Sequence, residues 1–352
     1  MSGLKRNLRQ LTRGQLEQWL KEQGEPAYRA GQIQEWLWQK GAVSFSEMSN
    51  VPMKLRQKLA EQFLFAPLSI NQRQQSRDQT IKLRFVTHEG FRIEGVLIFS
   101  EGRVTACVSS QVGCSLTCAF CATGRMGRQR NLSSDEIVEQ VLLLRKEALQ
   151  AAGTSLTNVV YMGMGEPLLN YREVVRSLEM LTAPDGLALS PRRITVSTAG
   201  IAKLMRRLAD DGVRVRLALS LHATTDEQRN RIMPINEENQ LESLIAALRY
   251  YHERSGSRIS LEYILFAGFN DTMEDARRLL KLARQLPGVH VNLIEYNEVP
   301  GLSFRGSDAV TVKRFQEFLE RYGIAATVRH SRGRDIDAAC GQLANRGMKE
   351  QR

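Results

Sequence analysis

Three of the chain's five cysteines, Cys114, Cys118 and Cys121, lie in the twelve residues "GCSLTCAFCATG" at positions 113–124. Thiolates this close together repel one another unless a metal neutralises their charge, so the spacing indicates a metal site. A structural zinc site usually has four protein ligands, and the common ferredoxin runs have another spacing and a fourth cysteine. Three ligands leave one iron of a cluster open, and an open iron can bind a small chelating molecule. The spacing therefore favours a catalytic iron–sulfur cluster over structural zinc.

The other two cysteines stand in polar stretches of sequence. Cys107 precedes the triplet in "ACVSSQVGC", and Cys340 lies in "RHSRGRDIDAACGQLA". Free cysteine is usually a small buried residue, and each of these two could be one. Nearby cations, here Arg329, Arg332 and Arg334, would instead lower the pKa of the Cys340 thiol and make it nucleophilic. On the residues alone, a buried thiol and a reactive thiol are equally good interpretations of Cys340.

Polar residues end several apolar runs that we interpret as strands: Gly165, Glu166, Ser197, Ser220, Leu221, His222 and Asn297. The cysteine triplet follows another such run. Barrel enzymes have their active sites at the carboxyl ends of the strands, so parallel strands would bring all of these residues to one mouth. Each residue is a weak signal alone, since a lone His222 is more often structural and Ser197 could cap a helix. Their repetition on consecutive runs predicts a single site.

From about residue 104, the elements that hold these residues are predicted strands and helices in alternation. Apolar runs such as "NVVYMGMG", "RITVSTAG" and "ISLEYILF" alternate with amphipathic segments, the first of which opens with a capping box from Ser133 to Glu136. Such units imply a parallel sheet with right-handed crossovers. About six units are too few for an eight-fold barrel. The sequence predicts an α/β fold with a partial (β/α)6 TIM-like barrel, and a doubly wound open sheet is the alternative.

The first hundred residues have different patterns. Residues 1–75 contain apolar residues at three-to-four spacing and predict a small helical accessory domain, whose basic surface could recognise RNA. Alternation around "HEG" predicts a β-hairpin in a linker region, 76–103, that contains Glu94. On the residues alone, an exposed strand glutamate explains Glu94 as well as a catalytic one does. Residues 104–345 would form the core, with its C-terminal cysteine segment.

The composition excludes some classes of protein and favours others. No apolar run reaches membrane-spanning length, and "MSGLKRNLRQL" lacks a signal-peptide hydrophobic region, so we expect a cytoplasmic protein with no membrane partner. Structural disulfides are rare in that compartment, and an odd count of five cysteines also argues against a disulfide framework. The net charge of +11, from 49 basic and 38 acidic residues, suits a nucleic acid partner, although an ordinary basic enzyme can have the same balance.

The motifs together resemble a known family. The triplet, with Phe120 before its last cysteine, resembles the signature of the radical S-adenosylmethionine (SAM) superfamily. "CVSSQVGC…CAFCATG", "MGMGEPLLN", "SLHA" and "DIDAACGQL" resemble the bacterial adenine C2-methyltransferases over nearly the whole chain. Members of that family methylate an adenosine in 23S ribosomal RNA and the adenosine 3′ of the tRNA anticodon. The resemblance implies a radical SAM core over 104–345, one [4Fe–4S] cluster per chain, two SAM molecules per turnover and a one-electron donor such as a flavodoxin. We also expect a monomer.

The resemblance further implies a role for each candidate residue. The triplet would bind the cluster, and the seven residues at the strand ends would contact SAM. Cys340 would receive a methyl group, which a deoxyadenosyl radical would activate for addition to C2, linking RNA and protein covalently. Glu94 would remove the C2 proton as the base. Cys107 would then attack the sulfur of Cys340, forming a disulfide and releasing the methylated RNA.

Two alternatives stay open. A relative that methylates C8 of the same ribosomal adenine shares these cysteines, although the overall likeness, including "DIDAACGQL", favours C2. A non-catalytic iron–sulfur protein that binds RNA and senses redox state would need the cluster and the basic surface, but not Cys107, Cys340 or Glu94. Several arginines either hold RNA phosphates at the rim of the site or belong to a solvated basic loop: Arg125, Arg128, Arg130, Arg192, Arg193 and, before Cys340, Arg329, Arg332 and Arg334.

Overall fold

The N-terminal region is helical, as its apolar spacing predicts. The computed structural model describes residues 5–65 and 68–344, so residues 1–4 of the predicted helical region and residue 345, the predicted end of the core, lie outside it. Gly24 adopts a left-handed conformation shortly after the first helix, which is a common way for a helix to end. The helices of this region are α1 (Arg13–Glu22), α2 (Tyr28–Gln34) and α3 (Met53–Gln62).

A buried ion pair joins this region to the rest of the protein. The short strands β1 (Arg6–Asn7) and β2 (Phe63–Leu64) pair in parallel. Arg9, just after β1, forms an ion pair with Glu139 of α4 (Ser134–Ala152), and both side chains are 1% exposed. Removing one partner of such a pair typically costs about 3–5 kcal/mol, because the other charge stays buried without compensation. The apolar core is also continuous between the two regions.

An antiparallel wing extends the main sheet. The predicted hairpin around "HEG" is present as its second and third strands, and its last strand continues into the parallel core. The first strand of the wing corrects the expectation of helix up to residue 75. It is an edge strand with polar, mostly exposed residues, so it lacks the apolar alternation that predicts a strand. The wing consists of β3 (Leu68–Gln75), β4 (Ile81–Thr87), β5 (Arg92–Ser100) and β6 (Arg103–Cys107).

The partial barrel is confirmed. After the short ribbon of β7 (Gln111–Val112) and β8 (Arg130–Asn131), the strands from β9 onward follow β6 in sequence order, and every neighbouring pair is parallel. A doubly wound sheet would reverse its strand order at a switch point, and none of the described strands does so. These strands are β9 (Asn158–Tyr161), β10 (Ile194–Thr198), β11 (Arg216–Ser220), β12 (Ile259–Leu265), β13 (His290–Glu295) and β14 (Ala325–Arg329).

Helices fill the crossovers between these strands. The capping box at the start of α4 is present, with Ser133 and Glu136 each accepting a hydrogen bond from the other's backbone. Within the described residues, no helix combines the length and the apolarity that crossing a bilayer requires. The remaining helices are α5 (Tyr171–Thr182), α6 (Ala202–Asp210), α7 (Asp226–Ile232), α8 (Leu241–Ser255), α9 (Met273–Ala283) and α10 (Ala309–Arg321).

The two faces of the parallel sheet differ in polarity. In β10, Ile194 and Val196 are fully buried, whereas the alternate residues Thr195 and Ser197 are partly exposed. Each fully buried aliphatic side chain contributes roughly 1.5–3 kcal/mol of transfer free energy. A parallel sheet covered on both faces would show continuous apolar runs instead. The alternation therefore fits a barrel whose outer face is covered by helices and whose polar inner face holds the site.

Candidate active site

The predicted site residues converge on one cavity of about 470 Å³ at the carboxyl ends of the parallel strands. All five cysteines face it, which brings residues separated by most of the chain into one space. Two predicted residues, Leu221 and Glu94, do not line the cavity. Those that do, besides the cysteines, are Gly165, Glu166, Ser197, Ser220, His222 and Asn297.

Backbone contacts fix the loop that contains the triplet. A side chain at Gly113 is excluded because its φ is +76° and a Cβ would lie 1.8 Å from the Gly127 carbonyl oxygen. The backbone N–H of Leu116 points at the Cys114 sulfur, 3.4 Å away, and the N–H of Ala119 donates to the Ile232 carbonyl. N–H groups directed at a sulfur stabilise its thiolate form. The loop is thus shaped around its cysteines by its own backbone.

The environment of the triplet opposes thiolate charge in the absence of a cation. Burial raises the pKa of the Cys114 thiol to about 11. Burial also raises the pKa of Cys118, and the nearby Cys121 and Cys114 thiols raise it further. A positively charged group bound among the three sulfurs would remove both costs, because it replaces the lost hydration and cancels the mutual repulsion.

A tight turn after β9 presents Gly165 and Glu166 to the cavity. At Gly165 the φ is +94°, and a Cβ would lie 2.5 Å from the Gln111 side chain. The carboxylate of Glu166 is buried and accepts hydrogen bonds from the backbone N–H groups of Ala199 and Leu168, at 2.7 and 3.0 Å. Burial raises the pKa of Glu166, and these hydrogen bonds oppose that rise. The carboxylate therefore ties the end of β9 to the end of β10.

The ends of β10 and β11 face each other across the cavity wall. The hydroxyl oxygens of Ser197 and Ser220 are 3.4 Å apart. His222 has a left-handed backbone, and its Nδ1 accepts a hydrogen bond from the Ile264 N–H at 3.1 Å. Burial lowers the pKa of His222 to about 3, so the ring is neutral. Leu221 is fully buried behind this wall, and its N–H donates to the Glu262 carbonyl.

Arg229 organises the same wall, although in the sequence it is only one basic residue in a polar helix. Its fully buried guanidinium donates to the carbonyl oxygens of Leu221 at 3.0 Å and Ser220 at 3.1 Å, and to that of Ala199. Burial lowers the pKa of Arg229 to about 10, so it remains charged at neutral pH. A buried cation beside Cys118 and Glu166 offsets their negative charges.

The two thiols outside the triplet share the cavity with a charged pair. Burial raises the pKa of the Cys107 thiol to about 12, and the nearby Cys340 thiol raises it further. Arg329, at the end of β14, lowers the pKa of both thiols and forms an ion pair of 3.2 Å with the buried Glu262. Glu262 is a second residue that the sequence did not indicate, because it stands inside an apolar strand.

The expected low pKa of the Cys340 thiol is wrong in its net direction. Cys340 keeps an exposed surface, but that surface faces the cavity, and burial there outweighs the charge of Arg329 and raises the pKa. Arg334 is held by Glu295 instead. Asn297 donates to the Cys340 carbonyl at 3.3 Å, so this predicted SAM contact also positions the cysteine.

Glu94 lies beside the cavity and is covered by the C-terminal segment. It is 2% exposed, which excludes the interpretation as an exposed strand glutamate. One carboxylate oxygen is 3.5 Å from the Lys82 ammonium, and the other accepts the Ala344 N–H at 3.0 Å. Leu343, next to Ala344, lines the cavity.

Two parts of the chain match known protein families. Residues 108–283 match the Radical SAM superfamily, and residues 6–64 match the Ribosomal RNA large subunit methyltransferase N-terminal domain. A probable dual-specificity RNA methyltransferase RlmN from Christiangramia forsetii is 46% identical over 342 residues, which cover 97% of this chain and 97% of the relative. The chain belongs to the dual-specificity RNA methyltransferase RlmN family.

Other members of the RlmN family and a solved structure are similar over nearly the full length. The probable RlmN enzyme from Cytophaga hutchinsonii is 47% identical over 345 residues, covering 98% of this chain and 94% of the relative. The crystal structure of a radical SAM methyltransferase from Sphaerobacter thermophilus is 44% identical, covers 96% of this chain and 99% of its own, and superimposes with a TM-score of 0.92. The two structures therefore share the barrel, the wing and the helical region.

Membership of the radical SAM superfamily implies a [4Fe–4S] cluster and SAM. The donor set fits them, since three thiols face a cavity where burial opposes their ionisation in spite of Arg229, and the buried Asn297 Oδ1 has no hydrogen-bond partner among the described residues. Across residues 5–65 and 68–344, no three His, Cys, Asp or Glu side chains converge tightly enough to hold a single metal ion. Clusters differ from single ions in binding each thiolate on a separate iron.

Among the candidate RNA-contact arginines before Cys340, Arg329 and Arg334 are paired with Glu262 and Glu295, whereas Arg332 is exposed and lines the cavity.

The other candidate arginines divide into three groups. Arg125 and Arg128 are exposed in the cluster loop, near the cavity. Arg130 is engaged with Glu89 and Glu136, so its role in the described structure is to hold the loop. Arg192 and Arg193 precede β10 and so lie at the opposite end of the barrel from the cavity, which contradicts their expected place at its rim.

Proposed function

We propose that this chain is a radical SAM methyltransferase that methylates C2 of adenosine in 23S ribosomal RNA and in tRNA next to the anticodon. Its family membership supports RNA methylation, since its relatives are named dual-specificity RNA methyltransferases. The match of residues 6–64 to a ribosomal RNA methyltransferase domain supports the helical region before β3 as an RNA-recognition element. The C2 position and the tRNA substrate extend the motif resemblance described above.

One observation carries the mechanism: two free thiols, Cys107 and Cys340, share the cavity with the cysteine triplet. An iron–sulfur protein that only transfers electrons or senses redox state has no need of them. A methyl carrier and a second thiol that displaces the product from it would need this proximity.

The residues that would hold the cofactors follow from the cavity wall. Cys114, Cys118 and Cys121 would bind one cluster per chain, and the SAM contacts would be Gly165, Glu166, Ser197, Ser220, Leu221, His222 and Asn297. When bound, the cluster and two SAM molecules per turnover supply the methyl group and the one-electron chemistry that activates it. The Nδ1 of the neutral His222 accepts the Ile264 N–H, so its Nε2 carries the proton and gives the cavity a fixed donor, while the buried Glu166 gives it a fixed acceptor.

Three of the chain's own residues would each perform one step of the transfer. The Cys340 sulfur carries the methyl carbon and delivers it to the base. Glu94 accepts the C2 proton on its carboxylate. The Cys107 thiolate attacks the Cys340 sulfur, so that a sulfur–sulfur bond forms while the bond from sulfur to the transferred CH2 carbon breaks. The electron pair stays on that carbon, which takes up the proton that the Cys107 thiol gave up and so becomes the methyl group of the product. Because Glu94 lies behind the segment at residues 343–344, the C-terminal segment must shift during this sequence.

The remaining parts of the proposal concern partners. Arg125 and Arg128 would contact RNA phosphates, and the target base would leave its stack to enter the cavity. We further propose a flavodoxin-type electron donor, a monomeric state and a cytoplasmic location.

The proposal is tested by the intact mass of anaerobically purified protein, with peptide mapping of Cys340. We expect a 14 Da increase for one methyl group on Cys340, which is lost when RNA and reductant are added. An intact cluster that cleaves SAM beside an unmodified Cys340 would rule out methyl transfer through the protein.

A second experiment separates the two enzyme candidates. Mass spectrometry of nucleosides from 23S RNA and tRNA, treated separately, should identify 2-methyladenosine in both. 8-Methyladenosine would overturn the C2 assignment, and product in one RNA alone would remove the dual specificity. A redox sensor would yield neither nucleoside and would keep its RNA binding after Cys340→Ala.

A further inference from the structure

Lys82 and Glu94 form a buried ion pair between two strands of the antiparallel wing. Lys82 lies on β4 and Glu94 on β5, with the ammonium 3.5 Å from a carboxylate oxygen. Their side chains are only 5% and 2% exposed. Burying both charges is costly, and a carbonyl or N–H partner on each group is what makes such a pair tolerable. Both partners come from one segment of the chain.

That segment contains Cys340. The Lys82 ammonium donates to the carbonyl oxygen of Asp337 at 3.3 Å, and Glu94 accepts the N–H of Ala344 at 3.0 Å. Asp337 precedes Cys340 by three residues, and Ala344 follows it by four. One ion pair therefore holds the chain on both sides of the cysteine.

The segment is bent in a way that needs such support. Gly333 has a φ of +66° and Asp337 has a φ of +52°, a left-handed conformation that is less favourable for Asp337 than for a glycine. The first bend is held by the turn between β3 and β4, where Asp78 accepts the Gly333 N–H at 2.9 Å. The second, strained bend has the Lys82 contact at its carbonyl.

We propose that Lys82 is a positioning residue that couples Glu94 to the location of Cys340. This inference rests on the proposed function, in which Glu94 is the base and Cys340 the methyl carrier. While Glu94 is ionised, Lys82 orients it toward Ala344 and keeps Asp337 in its strained bend. When Glu94 accepts the C2 proton, the attraction between the two side chains is lost, and both sides of the segment are released together. Proton removal would thereby free Cys340 at the stage where Cys107 must reach its sulfur.

The charge environment of the pair comes from neighbouring elements. Arg84 stands opposite Glu94 in the strand register and is fully buried, with its Nε donating to Asn71 at 2.8 Å. Arg92 lies on the same strand two residues before Glu94. Two contacts join the pair to the backbone of the Cys340 segment: Lys82 donates to the Asp337 carbonyl, and Glu94 accepts from the Ala344 N–H.

The test is hydrogen–deuterium exchange on the cluster-loaded full chain. In Lys82→Met we expect peptides from residues 333–344, including the Ala344 amide, to exchange about fivefold faster, because a net hydrogen bond of this kind shifts a local opening equilibrium by roughly that factor. Lys82→Arg should restore most of the protection. Lys281→Met, an exposed lysine of α9, is the matched control and should leave the segment unchanged.

Activity gives the second readout. With RNA as substrate, Lys82→Met should lower kcat about tenfold with little change in KM, since the Lys82 side chain is buried and therefore not available to bind RNA. Glu94→Gln, used only for exchange, should loosen the same peptides, and the double variant should add little to either single change.

Three outcomes would overturn the proposal. The first is unchanged exchange of 333–344 in Lys82→Met. The second is uniformly faster exchange over the whole chain, which would mean a merely structural role. The third is additive effects of the two substitutions. If instead the wild-type protein leaves RNA unmethylated, the proposed function fails, whereas the exchange comparison still decides whether Lys82 holds the segment.

Discussion

The cluster loop and the C-terminal cysteine segment both present thiols to one cavity, but they are held in different ways. Gly113 in the loop is fixed by a backbone approach that excludes any side chain, and the short ribbon of β7 and β8 frames the loop. The segment around Cys340 is held by single polar contacts from distant residues, including Asp78, Lys82 and Asn297. A cofactor site needs the first kind of support. Single polar contacts suit a cysteine that, under the proposed function, must reach more than one partner.

The thiols also differ in how deeply they are buried. Cys107 and Cys114 are buried side chains at the end of a strand and in the loop, whereas Cys340 keeps an exposed surface. The exposed thiol thus shares one cavity with buried ones. Under the proposed function, the reactivity of Cys340 would depend on its position more than on a lowered thiol pKa.

The largest expected effect comes from removing the Cys340 thiol. Cys340→Ala should lower methylated RNA at least about a thousandfold, as expected when a covalent catalyst is deleted, while iron content and SAM cleavage stay near wild type. Cys107→Ala is the informative partner, because it should stall with RNA joined to protein, seen as a retarded band on a denaturing gel. Normal product from Cys340→Ala would remove the distinction between the two regions.

The next largest effect is expected from a substitution that disrupts the cluster loop. In Gly113→Ala the new Cβ meets the Gly127 carbonyl, so we expect local rearrangement costing about 1–3 kcal/mol and loss of most bound iron and sulfide. Gly127→Ala is a matched control, since Gly127 also has a positive φ, +67°, but a Cβ there meets nothing within 4 Å. Equal iron loss in both variants would show that backbone strain, rather than close approach, shapes the loop.

A smaller effect concerns the charge beside the thiols. Because the pKa of Cys107 is about 12, its thiolate fraction, and its rate of alkylation, should rise about tenfold per pH unit between pH 7 and 9. Arg329 lowers that pKa, so Arg329→Gln should raise it and slow alkylation roughly tenfold at every pH in this window. Arg332→Gln is the control, and alkylation that levels off near pH 8 would contradict a raised pKa.

The smallest effect lies where the two regions touch. The Thr123 hydroxyl in the cluster loop donates to the Leu343 carbonyl at 2.5 Å. Thr123→Val should lower the free energy of unfolding by about 1 kcal/mol, measured by urea titration, because a buried carbonyl loses its donor. Thr123→Ser keeps the donor and should be close to wild type. A similar loss in the serine variant would point to the methyl group instead of the hydrogen bond.

Much of the architecture could be predicted because it depends on local pattern. The alternation in β10 and the capping box at Ser133 report directly on strands, helices and the face that holds the site. The spacing of the three clustered cysteines likewise indicates a metal site without reference to any distant residue. The strand β3 escaped prediction because an exposed edge strand has no apolar face to show in sequence.

The missing parts of the site depend on distant pairing. Arg229, Glu262 and Lys82 act through partners on other elements, and no spacing within their own segments marks them. The net pKa of Cys340 escaped for a related reason. Neighbouring arginines are visible in the sequence, whereas the burial that outweighs them exists only after folding.

The hydrogen bond from Thr123 to Leu343 spans 220 residues, so it also sets an order of events during synthesis. At about 5–20 residues per second, the ribosome needs roughly 10–45 s to advance from one residue to the other. During that interval the nascent chain already has its three clustered thiols but not the segment that later covers Glu94. Iron–sulfur delivery can proceed while the cavity is still open on that side, and closure of the pocket follows as a late step of maturation.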